Sequence, residues 1–153
     1  MKALELKIPP PIYALILALL MWLLNKYIPI MHFIESPWNK AGLGIIIIAG
    51  TLDLWSLFLF IKKHTTFNPM KPEDTTGLVI TGLYKISRNP MYVGLLTMLF
   101  GFAIWLGSVT PFLVLPLFYM VITAMQIKPE EKFLLEKFGK EYQTYKDSVR
   151  RWL

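Results

Sequence analysis

The chain has 153 residues, enough for a single domain over 1–153, and 55% of them are hydrophobic, gathered in long runs with a positive mean hydropathy. That pattern argues against a soluble core and for an integral membrane protein. The formal charge is +6; cysteine is absent, which excludes a disulfide frame, a thiolate nucleophile and a cysteine metal site, and the two histidines, His32 and His64, lie too far apart in sequence to suggest a metal cluster.

Met1 to Pro11 form a short amphipathic lead with Lys2 and Lys7. The apolar run from Ile12 to Ile30 continues through Trp22 and Tyr27 without a small-residue cleavage site, so it reads as a first span, about 12–30, rather than a signal peptide. Asn25 and Lys26 interrupt it near its outer end, where Lys26 can snorkel to the interface. Met31 to Lys40 is a loop marked by Ser36-Pro37, with Trp38 as an interfacial anchor. A second span, about 41–61, carries Gly42, Gly44, Ala49 and Gly50, small residues that let helices approach closely. Asp53 lies inside it. A carboxylate at membrane depth either hydrogen-bonds within the bundle or lines a reaction cavity, and the sequence leaves both open.

Lys62 to Arg88 is too polar to cross a bilayer. His64-Thr-Thr-Phe-Asn-Pro reads as an exit loop, Lys71-Pro-Glu-Asp as a turn, and Leu78-Val79-Ile80 as an extended stretch or tight turn between Gly77 and Gly82. A third span, about 90–106, begins with Asn89 as cap and Pro90 at the first helical position. Gly94, Thr97, Gly101 and Ser108 form a narrow face of small residues along which another helix can pack. After a brief turn at Gly107-Ser108 and a first-turn Pro111, a fourth span, about 110–127, is expected to kink at Pro116 and to form a tight hairpin with the third. Pro129-Glu130-Glu131 then begins another helix, about 129–150, with acids in its first turn. Leu135, Phe138, Tyr142, Tyr145, Val149 and Trp152 recur every three or four residues opposite Lys and Glu, so this helix is amphipathic and not a span. Gly139 interrupts it at a cost of about 1 kcal/mol against alanine, for which close packing against the loop before the third span is the expected compensation.

The expected fold class is therefore all-α integral membrane, four spans plus a cytoplasmic amphipathic C-terminal helix. Lys62, Lys63, Lys71, Lys85 and Arg88 fall in one connecting segment, and Lys128, Lys132, Lys137, Lys140, Lys146, Arg150 and Arg151 in the tail, whereas Met31 to Lys40 carries only Lys40. This asymmetry puts both termini and the connecting segment in the cytoplasm. The cations flank spans, which disfavours nucleic acid and suits anionic membrane lipid.

On that side the ends of the spans meet the 76–92 loop and the start of the Glu130 helix, a cleft with water on one side and lipid on the other. The N-terminus of the third span offers free N–H groups and a positive dipole end to a carboxylate or phosphate, reinforced by Arg88. Tyr84 and Tyr92 offer rings and hydroxyls to a nucleoside, and Glu130 offers an acceptor. The same residues also read as a snorkelling, salt-bridged helix junction, with Asn89-Pro90 as no more than a helix start.

The pattern Thr-Gly-Leu-Tyr-x-x-x-Arg-Asn-Pro-x-Tyr-x-Gly at 81–94, followed by Glu130-Glu131-x-x-Leu and Phe-Gly-x-x-Tyr-x-x-Tyr at 138–145, resembles the integral-membrane methyltransferases that include isoprenylcysteine carboxyl methyltransferases and phospholipid N-methyltransferases. The resemblance covers roughly Thr76 to Arg151. It implies S-adenosylmethionine as methyl donor, contacted by Thr76, Gly77, Leu78, Val79, Tyr84, Asn89, Pro90, Met91, Tyr92 and Glu130. Two positions depart from it. The family usually has His where this chain has Asn89, which can cap but cannot titrate near neutrality. The carboxyl methyltransferases have an arginine implicated in substrate binding where this chain has Gln126, whose neutral amide cannot pair with a carboxylate as a guanidinium does, although Lys128 is close in sequence. Sterol-type membrane reductases share the architecture, but their related stretch ends Gly-Glu where Leu95 follows Gly94 here.

Methyl transfer from a sulfonium requires orientation, exclusion of water and a correctly ionised acceptor. A carboxylate acceptor needs no base; an amine must lose a proton, to Glu130, Glu131 or Asp53. The expected working pair is Glu130, for positioning and cofactor binding, and Arg88, with either Arg88 or the third span's N-terminus taking the cofactor carboxylate, while Gln126 faces a lipophilic or lipid acceptor. Glu131 is either a second acid of the site or a structural first-turn acid. A nicotinamide-dependent reductase and a non-catalytic membrane scaffold are the alternative classes.

Overall fold

A computed structural model of the chain describes residues 6–62 and 77–153. The lead before Leu6, the His64 exit loop and the Lys71 turn lie outside these residues. Among the described residues six α-helices follow in order: α1 (Pro10–Tyr27), α2 (Ala41–Lys62), α3 (Pro90–Leu106), α4 (Val114–Ile122), α5 (Lys128–Phe138) and α6 (Lys140–Ser148). Pro10–Tyr27, Trp38–Phe58 and Thr110–Phe138 are long and apolar enough to cross a membrane, and α3 is a shorter apolar helix beside them. The all-α class agrees with the sequence reading.

Four details differ, each for a local reason. The first helix ends at Tyr27 rather than near Ile30, because Pro29 disfavours helical backbone at Ile28, whose φ is −138°. The fourth span does not stop before Pro129. A 3₁₀ turn (Thr110–Leu113), α4, a π turn (Thr123–Ile127) and α5 run on without a break. Pro129 has no N–H to offer the Met125 carbonyl four residues back, and the backbone N–H of Leu6 takes that acceptor instead at 3.2 Å. Pro116 falls in the first turn of α4, just after the 3₁₀ turn, rather than in the middle of a long helix. The C-terminal amphipathic helix is two helices, broken at Gly139 with φ 50° and ψ −120°, and nothing lies within 4 Å of where its Cβ would be. Its glycine thus serves backbone conformation and not the expected close packing.

The most extensive helix pair is α2 with α3, while the expected α3–α4 hairpin makes a smaller contact. Glycine explains the pairing. A Cβ on Gly42 would collide with the Gly101 carbonyl and lie 2.7 Å from Trp105 N, and one on Gly101 would lie 2.7 Å from the Gly42 carbonyl. Further along, a Cβ on Gly94 would fall on the Asp53 carboxyl group. Helix α1 packs across α3 and α4, and Met21, Leu99, Ala103, Phe118 and Ile122 form the core between them.

One end of the bundle is closed by the 28–34 strand-like loop. Phe33 N and Ile34 N donate to Gly107 O at 3.0 and 3.1 Å, Val109 N to Met31 O at 3.0 Å, and the Thr110 hydroxyl to Ile28 O at 2.7 Å. The other end gathers residues 6–9, the start of α3, the helices α5 and α6, and the last residues of the chain.

Candidate active site

The site begins with a turn. Gly82, at φ 61°, opens a 3₁₀ helix (Gly82–Lys85) that turns Tyr84 inward to 6% exposure. Pro90 then starts α3, which carries Tyr92 into the bundle. The Tyr92 hydroxyl donates to Glu130 Oε1 at 2.6 Å across from α5, so two motifs separated by 38 residues meet in a short hydrogen bond. Burial holds the Tyr84 hydroxyl well above its usual range, aided by the nearby Tyr145, Glu130 and Asp53. Tyr84, Tyr92, Glu130, Asp53 and Tyr145 are therefore one electrostatic neighbourhood. Tyr145 also donates its hydroxyl to the Tyr84 carbonyl at 2.7 Å, tying α6 to the turn.

Beside this lies an ion triad. Glu131, 9% exposed, receives Arg151 through Nε–Oε1 at 2.9 Å and Nη2–Oε2 at 2.8 Å, and meets Arg88 Nη2 at 3.1 Å. The Arg88 side chain is 8% exposed, and its Nε and Nη1 have no hydrogen-bond partner among the described residues. The last residues cross the triad as an extended strap. Arg150 O accepts from Arg88 N at 2.9 Å, Arg151 O accepts from Asn89 Nδ2 at 2.9 Å, and Trp152 stacks on Tyr119 with ring centroids 4.8 Å apart.

Of the other sequence candidates, Thr76 lies outside the described residues. Gly77, Leu78 and Val79 run without regular structure toward the Gly82 turn, with Val79 buried. Leu78, Ile80 and Lys85 face Tyr145, Ser148 and Val149 of the tail across a cleft of about 570 Å³. Asn89 precedes α3, yet its side chain makes no cap bond and holds the strap instead. Pro90 is buried and Met91 half-buried at the helix start. Gln126, fully buried in the π turn, donates Nε2 to Ile8 O at 2.9 Å, leaving Oε1 without a partner among the described residues. Asp53 Oδ1 is likewise unpartnered there, against Gly94. An apolar groove of about 380 Å³ opens between α3 and α4, lined by Leu96, Thr97, Phe100, Leu115, Pro116 and Tyr119.

Sequence reasoning missed the strap. Arg150, Arg151 and Trp152 counted only as tail charge and as part of an amphipathic stripe. The signal was present in Arg-Arg-Trp following the last helix turn, but half of its bonds are made by backbone carbonyls that no side chain announces.

A family model described as phospholipid methyltransferase matches residues 38–141. Over 137 residues the chain is 28% identical to a protein-S-isoprenylcysteine O-methyltransferase A of Arabidopsis thaliana, covering 87% of this chain and 70% of that one. It is 31% identical over 145 residues to a methanethiol S-methyltransferase of a Pseudomonas species, covering 88% of this chain and only 54% of the relative. It is also 46% identical to an uncharacterized protein of Haemophilus influenzae over 63 residues, 41% of this chain and 100% of that one. No solved structure matches the chain.

Proposed function

The chain belongs to the phospholipid methyltransferase family, and from that premise we propose that it transfers a methyl group from S-adenosylmethionine to a lipophilic acceptor in the membrane, an isoprenylcysteine-type carboxylate or a phospholipid amine. The observation that carries the reading is the Tyr92–Glu130 bond at 2.6 Å, which joins the two separated motifs. The orphaned Arg88 nitrogens fit a carboxylate, the tyrosines fit a nucleoside, and Glu130 fits hydroxyl or cationic groups, so the residues present suit this donor. When bound, the donor supplies a methyl carbon that bonds to the acceptor nitrogen or oxygen while the carbon–sulfur bond breaks and its electrons pass to sulfur.

The chain's own residues have the remaining work. We assign Gly77, Leu78, Val79 and Tyr84, with Thr76 before them, to one wall of the donor pocket, and Asn89, Pro90, Met91 and Tyr92 to the other. Arg88 takes the donor carboxylate. Tyr92 fixes the rotamer of Glu130, which orients the donor and can accept a proton from an amine. The apolar groove between α3 and α4 suits a lipid chain. Gln126 favours the amine over the carboxylate as acceptor: its carbonyl oxygen, without a partner among the described residues, can receive an N–H, and its neutral amide cannot pair with a carboxylate as a guanidinium does. The site faces the cytoplasm in this reading, following the cation bias. The relatives give no support to the reductase alternative.

Calorimetric titration of detergent-purified protein with S-adenosylhomocysteine, with NADPH as control, tests the assignment. Tyr92→Ala and Glu130→Ala should stay folded and lose about tenfold or more in affinity for the first ligand. Unchanged affinity in both variants would remove the proposed site, and binding of NADPH alone would restore the reductase.

A further inference from the structure

The ion triad is unequal in charge. One carboxylate, Glu131, faces two guanidinium groups, Arg88 and Arg151, which leaves one positive charge in excess. The partition of contacts places that excess on Arg88. Arg151 engages both Glu131 oxygens in a fork at 2.9 and 2.8 Å, whereas Arg88 has a single contact at 3.1 Å. The Arg88 side chain is 8% exposed, and its Nε and Nη1 lack hydrogen-bond partners among the described residues. The Tyr142 hydroxyl also interacts with the guanidinium, yet Nε and Nη1 remain without a hydrogen-bond partner among the described residues. A buried guanidinium with two idle donors is expensive until an anion completes it.

We propose that Arg151 is a positioning residue that keeps Arg88 available to the donor's carboxylate. By occupying both oxygens of Glu131, Arg151 stops that carboxylate from closing onto Arg88 and consuming its donors. The strap supplies the rigidity: Arg151 O accepts from Asn89 Nδ2 at 2.9 Å, Arg150 O from Arg88 N at 2.9 Å, and Trp152 is stacked on Tyr119. Arg151 is thus fixed relative to both Arg88 and the start of α3. This inference rests on the donor reading of the site, and its test separates the two.

The full chain in detergent is titrated with S-adenosylhomocysteine and with S-adenosylthiopropylamine, the same molecule without its carboxylate. In Arg151→Ala, Glu131 turns to Arg88, and affinity for the carboxylate-bearing ligand should fall about tenfold, while affinity for the amine stays within about twofold. Adding Glu131→Gln to Arg151→Ala should restore the first affinity, because a neutral amide competes weakly for a guanidinium. A merely structural role would weaken both ligands together and would not be rescued. Where Arg151→Ala does not fold, Arg151→Lys keeps the charge but loses the fork, and should show the same ligand-selective loss at smaller size. Equal loss for both ligands, or loss for neither, overturns the inference while wild-type binding of S-adenosylhomocysteine leaves the donor reading standing. No binding of S-adenosylhomocysteine by the wild type overturns both.

Discussion

Tyr142 shows how single residues set conditions for the site. Its hydroxyl is pushed up to about 12, from 10.0, chiefly by burial and further by the Glu131 and Glu130 charges, with Arg88 pulling the other way. Folded protein therefore keeps a proton there that the unfolded chain loses. The resulting stability is complete below pH 10 and is lost as pH rises from 10.0 to about 12. Tyr142→Phe should reduce the fall in melting temperature across that window. A parallel fall in variant and wild type would mean that other groups govern alkaline unfolding. The Tyr92–Glu130 contact at 2.6 Å makes a second residue-scale claim. Tyr92→Phe keeps the ring and removes the donor, so it should cost Glu130 its orientation at about 1–3 kcal/mol in ligand affinity. A calorimetric Kd unchanged from wild type would show that Glu130 is held by something else.

Between elements, the α2–α3 pair sets the position of Asp53 against Gly94. Gly42 and Gly44 are two residues apart in α2 but differ in what surrounds them. A Cβ on Gly42 meets backbone of Gly101 and Trp105, which cannot yield, whereas one on Gly44 meets nothing within 4 Å. Gly42→Ala should destabilise by roughly 1–3 kcal/mol. Gly44→Ala should be neutral or gain up to about 1 kcal/mol from helix propensity. Thermal unfolding in detergent compares them, and equal melting temperatures would refute the packing account. This contrast was not legible in sequence, since both glycines fit a small-residue face. What was legible followed local rules, such as apolar runs of span length and the Pro90 helix start, or the order of the spans, which brings the 76–92 loop to the start of the Glu130 helix. What was not legible depended on partners distant in sequence. Pro129 looked like a helix start because the donor that lets the helix run through it comes from Leu6. Asn89 looked like a cap because its actual partner, the Arg151 carbonyl, lies 62 residues away.

At the scale of the molecule, the two long helices are offset. Asp53 meets Gly94, and α2 runs nine residues past Asp53 while α3 begins four residues before Gly94. At about 1.5 Å per residue, α2 overhangs the start of α3 by roughly 7 Å. The start of α3 is thereby recessed, and the Gly82 turn, α5, α6 and the strap fill the space above it. In the proposed reading the donor binds at this recessed end, and the apolar groove between α3 and α4 takes the lipophilic acceptor. The same arrangement puts Lys85 and Glu35 at opposite ends of the bundle. The chain has no cysteine, so Lys85→Cys and Glu35→Cys can be labelled without background. A membrane-impermeant maleimide should reach the first only from the cytoplasmic face and the second only from the opposite face. Labelling of both from one side would overturn the topology.

The central claim is methyl transfer from S-adenosylmethionine into a lipophilic molecule. Membranes containing the wild-type protein, supplied with methyl-labelled S-adenosylmethionine and extracted with organic solvent, test it directly. Label should accumulate in the organic phase with the wild type and fall to background with Glu130→Ala. Wild-type membranes that transfer no more label than Glu130→Ala membranes, from protein shown to be folded, would contradict it.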